Sequence, residues 1–181
     1  MSEIETKIFG IRRELALNHL RQCARDKNID LPEQIFNGML TAVYYKNGDL
    51  PLIRLRTEEQ AGRGSRNILT VKQPEISFHF NVKQCAEENL VIIDLAQADR
   101  LVRLLGYEPV HSIVKHRESW IYNGARLEFD RIGEGEIWLE IETADKKHLM
   151  EVIEDLGYTL ENCSSKTTEE IRDENAKEAK H

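Results

Sequence analysis

Three cysteines, four prolines and an aromatic fraction of 7% are a thin supply for a chain of 181 residues, and each shortage excludes something. Cys23, Cys85 and Cys163 are odd in number and far apart, with no Cys-x-x-Cys pair, so neither a disulfide framework nor a zinc knuckle is expected. A reducing cytoplasm is the compartment that fits. The longest aliphatic run, Leu90 to Ile93, is far short of a membrane span, and Glu3, Glu5 and Lys7 stand where a signal peptide needs an apolar stretch. An excess of positive charge is also missing: 25 Lys and Arg against 32 Asp and Glu give a formal net charge of −7. That balance argues against a basic nucleic-acid binder. The expectation is a soluble, cytoplasmic protein with neither nucleic acid nor membrane as partner.

What the chain does have is alternation. Residues 1 to 9 place Glu3, Glu5 and Lys7 on one face of a strand and Ile4, Thr6 and Ile8 on the other. Residues 11 to 26 switch to helical spacing, with Ala16, Leu20 and Cys23 on one stripe. Strands are expected at 39 to 46, 52 to 57, 67 to 73 and 75 to 82, separated by Asn47-Gly48-Asp49, by Gly62-Arg63-Gly64-Ser65 and by Pro74. Asp94 and Asp145 read as N-caps of two helices, which end at Gly106 and Gly157. Further strands at about 110 to 122, 126 to 132 and 137 to 143 bring the count to about eight antiparallel strands and three helices. The inventory predicts an α+β fold, a strongly curved sheet or barrel with helices packed outside. It occupies residues 1 to 160 and leaves 161 to 181 as a polar C-terminal tail.

Several strands carry their charges in pairs on one face. Glu3, Glu5 and Lys7 share a face, as do Arg54 and Arg56, Lys115 and Arg117, Glu128 and Asp130, and Glu140 and Glu142; Lys72 adds a further cation. The plain reading of such alternation is a solvated strand face. If the sheet closes, the same faces line a lumen. There, Arg and Lys clamp phosphates, while carboxylates, which repel phosphates, serve by holding hard divalent cations. Both signs on inward strands therefore predict metal-assisted phosphate chemistry. On strand 75 to 82 the polar face reads Glu75, Ser77, His79 and Asn81, which makes Glu75 and His79 lumen candidates. Trp120 and Trp138 are expected to pack in the core or at the rim rather than to stack on a base.

The order of these segments resembles a known family. Glu3-Ile4-Glu5-Thr6-Lys7 is similar to the E-x-E-x-K strand of the CYTH domain, the family of class IV adenylate cyclases and thiamine triphosphatases, also called triphosphate tunnel metalloenzymes. Behind it, in order, come Arg54-Leu55-Arg56, Val71-Lys72, Lys115-His116-Arg117, Phe129-Asp130 and Glu140-Ile141-Glu142. The resemblance implies an α+β fold built on an eight-stranded antiparallel closed tunnel or barrel with helices packed outside, a triphosphate bound inside it, and Mg2+ or Mn2+ as cofactor. Carried over, Lys7, Arg54, Arg56, Lys72, Lys115 and Arg117 are the phosphate ligands. Glu3, Glu5, Glu140 and Glu142, with Asp130 near them, are the metal-binding acids, and Glu128 is a lumen candidate. Many members place further Arg and Glu residues in the strand after the lysine at 72, which the 75 to 82 strand lacks. The overall match is to short prokaryotic class IV cyclase-like members, implying ATP converted to cyclic AMP and pyrophosphate. Hydrolysis of thiamine triphosphate, nucleoside triphosphate or inorganic triphosphate is the alternative reaction, and a non-catalytic polyphosphate or nucleotide binder is the third option. A homodimer is left open.

Overall fold

A computed structural model of the chain describes residues 2–74, 76–78, 81–167 and 170. Eight strands close into an antiparallel barrel: β1 (Ser2–Phe9), β2 (Glu33–Lys46), β3 (Leu52–Gln60), β4 (Gly64–Lys72), β6 (Val82–Ile92), β7 (Glu108–Tyr122), β8 (Ala125–Arg131) and β9 (Trp138–Thr143). Around the wall the order is β1, β9, β8, β7, β2, β3, β4, β6. Strand β1 makes the closure, pairing with β9 through residues 4–9 and with β6 through residues 2–5. Short β5 (Ile76–Phe78) pairs with β6, and β10 (Cys163–Ser164), after a single 3-10 turn, pairs with β1. The expected α+β barrel is the observed fold.

Three helices lie outside the barrel. Helices α1 (Arg13–Lys27) and α3 (Lys146–Asp155) bury Leu17, Leu20, Leu149 and Ile153 against Ile8, Leu127, Leu139 and Ile141, the outward residues of β1, β8 and β9. Leu20, Leu139 and Leu149 are 0% exposed. Truncating any of them to alanine costs about 2–5 kcal/mol. Helix α2 (Leu95–Leu104) covers the outward Ile53 and Leu55 of β3 with Ala98 and Val102. Both expected caps are present: Asp94 Oδ1 accepts from the Gln97 N–H and Asp145 Oδ1 from the His148 N–H, each at 2.9 Å. With apolar residues committed to the outside of the wall, period-two alternation sends their polar neighbours into the lumen.

Two elements depart from the sequence reading. Strand β2 begins at Glu33, well before residue 39, and runs beside β7 for its whole length. Gly38 permits this, since a Cβ there would lie 2.0 Å from the Glu59 carbonyl oxygen. The expected strand 75 to 82 is replaced by β5 and by a turn in which Asn81 takes φ 63°, followed by the long strand β6. Glu75 and His79 lie outside the described residues. Strand β6 escapes a periodicity search because it is polar on both sides. Gln84, Ala86 and Glu88 alternate with Lys83, Cys85, Glu87 and Asn89, so no apolar face marks it.

Candidate functional site

Register sets the chemistry of the lumen. Lys7 stands opposite Glu140 and Glu5 opposite Glu142 across β1 and β9; Glu128 stands opposite Glu140 and Arg126 opposite Glu142 across β8 and β9. Arg117 faces Asp130 across β7 and β8, Glu5 faces Lys83 across β1 and β6, and Lys72 faces Glu87 across β4 and β6. Opposite partners share a sheet face, so these side chains converge. Apart from Asp130, they line one cavity of about 830 Å³ that also takes in Arg54, Arg56 and Lys115. The expected phosphate ligands are therefore neighbours in space, together with Glu5, Glu140, Glu142 and Glu128.

The cavity contains two linked networks. In the first, Lys7 Nζ lies 3.1 Å from Glu140 and 3.6 Å from Glu5. Glu5 Oε1 is also 2.8 Å from Lys83 Nζ and 4.0 Å from Lys72 Nζ. The Glu5 oxygen has no aligned hydrogen bond, so these are charge contacts rather than directional ones. Lys72 continues to Glu87 at 2.8 Å, and Arg54 reaches Glu87 at 3.5 Å. In the second, Arg117 grips both oxygens of Asp130, Nε to Oδ1 at 2.7 Å and Nη2 to Oδ2 at 2.6 Å, while Lys115 Nζ donates to the same Oδ2 at 2.6 Å. Arg117 also contacts Glu128 and lies 3.5 Å from Glu140, which joins the networks.

Burial gives these contacts weight, because charges out of water are stabilised only by partners. Burial by itself lowers the Lys7 ammonium, but Glu140 and Glu5 outweigh it and hold the pKa above the ordinary lysine value. Burial by itself raises Glu128, yet Arg117 and Arg126 bring it down to about 2. Glu140 is held well below the usual carboxylate range, Lys7 and Arg117 overcoming its desolvation. Arg56 goes the other way. Burial, then the neighbouring Arg54, push its guanidinium down to about 10.

The expected residues do not all stand at the cavity wall. Asp130 is 0% exposed, does not line the cavity, and spends both oxygens on Arg117 and Lys115, so it sits behind the cations and aims them. The strand after Lys72 in the barrel wall is β6, and it supplies Lys83 and Glu87 to the lumen. The side chain of Glu3 lies outside the described residues, although its backbone pairs with Cys85. Sequence reasoning also missed Arg126, whose place in β8 shares the parity of Glu128 and Asp130, and Glu58, two positions beyond Arg56. Glu58 is 7% exposed, 3.0 Å from Arg56 Nε and 2.6 Å from Arg66. Thr167 and Glu170, from the segment read as a tail, line the cavity too. Trp120 and Trp138 are 8% and 5% exposed, as core packing requires.

Glu5, Glu140 and Glu142 each offer a carboxylate oxygen, and the three oxygens lie within 4.8 Å of one another; Glu128, Asp130 and Glu140 form a second such group. An all-oxygen anionic donor set is what a hard divalent cation takes, so the residues fit the expected metal. The first group faces the cavity; the second includes the oxygens that already hold Arg117 and Lys115.

Among the described residues no helix is long and apolar enough to cross a membrane, and the three cysteines form no disulfide. A search of curated proteins finds no match to this chain. Solved structures share its fold. PH1012 from Pyrococcus horikoshii OT3 superposes with a TM-score of 0.71 at 22% identity, covering 91% of this chain and 96% of its own. A conserved Pyrococcus furiosus protein gives 0.70 at 24%, covering 92% and 97%. A candidate adenylate cyclase from Vibrio parahaemolyticus gives 0.70 at 19%, covering 94% and 97%. The family model of the CYTH domain matches residues 1–172, reaching past the barrel strands to the segment of Thr167 and Glu170, and this chain belongs to the CYTH domain family.

Proposed function

We propose that this protein is a metal-dependent enzyme that takes a triphosphate into its tunnel and converts ATP to cyclic AMP and pyrophosphate, in the manner of a class IV adenylate cyclase. One observation carries the reading. In a chain of net charge −7, the described cavity lining turns positive, with nine Lys and Arg against seven Asp and Glu. A concave, largely desolvated surface of that sign selects a polyanion.

The roles follow from position. Lys7, Arg54, Arg56, Lys72, Lys115 and Arg117 bind the phosphate chain, with Lys83 and Arg126 beside them. Asp130 is a positioning residue that keeps the Arg117 fork and the Lys115 ammonium directed inward. Glu5, Glu140 and Glu142, with Glu3 on the strength of its motif, hold Mg2+ or Mn2+. When bound, the metal supplies Lewis-acid neutralisation of phosphate charge. Phosphoryl transfer needs positioning and charge stabilisation more than a covalent residue, and rigid strands carrying fixed cations provide both. The ATP 3′-hydroxyl attacks the α-phosphorus, its proton passes to solvent, and the bond to the pyrophosphate oxygen breaks while Arg and Lys stabilise the leaving charge.

The test is incubation with Mg2+ or Mn2+ and, separately, ATP, thiamine triphosphate and inorganic triphosphate, with product identification. Cyclic AMP from ATP supports the proposal. Free phosphate in its place makes the protein a triphosphate hydrolase, and tight binding without turnover makes it a binder; either result overturns the cyclase reading.

A further inference from the structure

Trp138 stands behind the cavity wall. It opens β9 on the sheet face of Glu140 and Glu142, opposite Asp130 of β8 and Phe9 of β1. It does not line the cavity, and its ring stacks on Phe9 with centroids 6.5 Å apart and planes inclined by 26°. Its other contact is with charge: Lys115 Nζ lies over the indole, 5.7 Å from the ring centroid, while donating to Asp130 Oδ2 at 2.6 Å. Lys115 is buried and lines the cavity. Asp130 is shared with Arg117, so a single carboxylate serves two cations. A second carboxylate in place of the indole would cancel the ammonium charge and repel a phosphate, whereas a π face attracts a cation and carries no net charge. Among aromatic rings, indole does this best. Indole also brings a burden that Phe or Leu would avoid: among the described residues, its buried Nε1–H has no acceptor. Packing alone does not account for Trp at this position.

Resting on the triphosphate reading, we infer that Trp138 is a positioning residue whose indole face, together with the Asp130 carboxylate, holds the Lys115 ammonium ready for the phosphate chain. The flexible lysine stem is then ordered before the ligand arrives, and binding does not have to order it. Fixing one such side chain in advance is worth roughly three- to tenfold in affinity.

The test measures the dissociation constant of inorganic triphosphate by isothermal titration calorimetry, with Ca2+ in place of Mg2+. Trp138→Leu should weaken binding by roughly three- to tenfold, and Trp138→Phe, which keeps a π face, by less. In a Lys115→Ala background, Trp138→Leu should cost no further affinity, because the side chain it acts through is gone; a packing defect would cost the same in both backgrounds. Carbon-edited proton NMR of the ligand-free wild type, assigned with Lys115→Ala, reads the contact without any Trp138 variant: the indole ring current should move the Lys115 ε-methylene protons upfield. Undiminished affinity in folded Trp138→Leu, an equal loss in both backgrounds, or Lys115 ε protons at ordinary lysine positions overturns the role of Trp138 while leaving the triphosphate reading intact. A wild-type protein that binds no triphosphate overturns the triphosphate reading itself, even with the NMR contact present.

Discussion

Arg56 is the cation this tunnel holds least willingly, and replacing it by methionine should stabilise the ligand-free protein. The side chain is 9% exposed, and its Nε has no aligned hydrogen bond despite lying 3.0 Å from Glu58 Oε1. Burial, then Arg54, lower the guanidinium from 12.5 to about 10. The unfolded chain keeps the higher value, so the charged side chain works against folding at every pH below about 10 and the penalty fades between about 10 and 12.5. At about 1.36 kcal/mol per pH unit, 12.5 − 10 = 2.5 gives an upper bound of roughly 3 kcal/mol. Methionine keeps the unbranched stem beside Ile68, its opposite neighbour on β4, and Glu58 keeps Arg66 at 2.6 Å. A gain of about 1–3 kcal/mol raises the melting temperature of a chain this size by about 3–10 °C. Differential scanning calorimetry without ligand should show that rise in Arg56→Met. With inorganic triphosphate and Mg2+, the additional shift should be smaller in the variant than in the wild type, because the phosphate no longer has this cation to relieve. A ligand-free variant that melts below the wild type would mean that the Arg56–Glu58 pair outweighs its desolvation, and the reasoning would be wrong.

Glu140→Gln should leave the fold intact by circular dichroism yet abolish metal-dependent turnover, since it removes an anionic oxygen ligand at constant volume; wild-type turnover in that variant would take Glu140 out of the site. Ligand-induced melting shifts should rank triphosphate above diphosphate above monophosphate, with a gain of about 2.7 kcal/mol at a hundredfold excess over the dissociation constant; equal shifts from AMP and ATP would contradict phosphate recognition. Glu128, held at about 2 against an ordinary 4.5, contributes stability that is present above about pH 4.5 and lost as the pH falls toward 2. Urea midpoints from pH 6 down should therefore drop below about pH 4.5, more steeply in the wild type than in Glu128→Gln, and parallel curves would deny Glu128 that role. On the far side of the molecule, Tyr122→Phe deletes the 2.8 Å hydrogen bond to buried Asp155 and should cost about 1–3 kcal/mol; an unchanged midpoint would show that Lys27 alone satisfies that carboxylate.

Much of this protein is legible in local pattern. The alternation of β1, the Asp94 and Asp145 caps, and the apolar stripes of α2 and α3 are written within a few residues each, because strand and helix periods act at short range. The strand count was enough to expect a curved sheet or barrel, and the resemblance of the ordered charged segments to the CYTH domain gave the expectation of a closed tunnel with a charged interior. Tertiary structure decided the rest. Strand β6 has no apolar face, and it counts as a strand because β1 and β4 pair with its two edges. Asp130 looks like Glu128 in sequence, two places along one strand, but the neighbouring β7 puts Arg117 and Lys115 on it and withdraws it from the cavity. Tyr44 and His111 carry no joint signal in the chain, since they become one stacked pair only through the register of β2 on β7. Side-chain parity is a property of a single strand and can be read from sequence; which charge or ring stands opposite is a property of strand pairing, and pairing is settled only when the barrel closes.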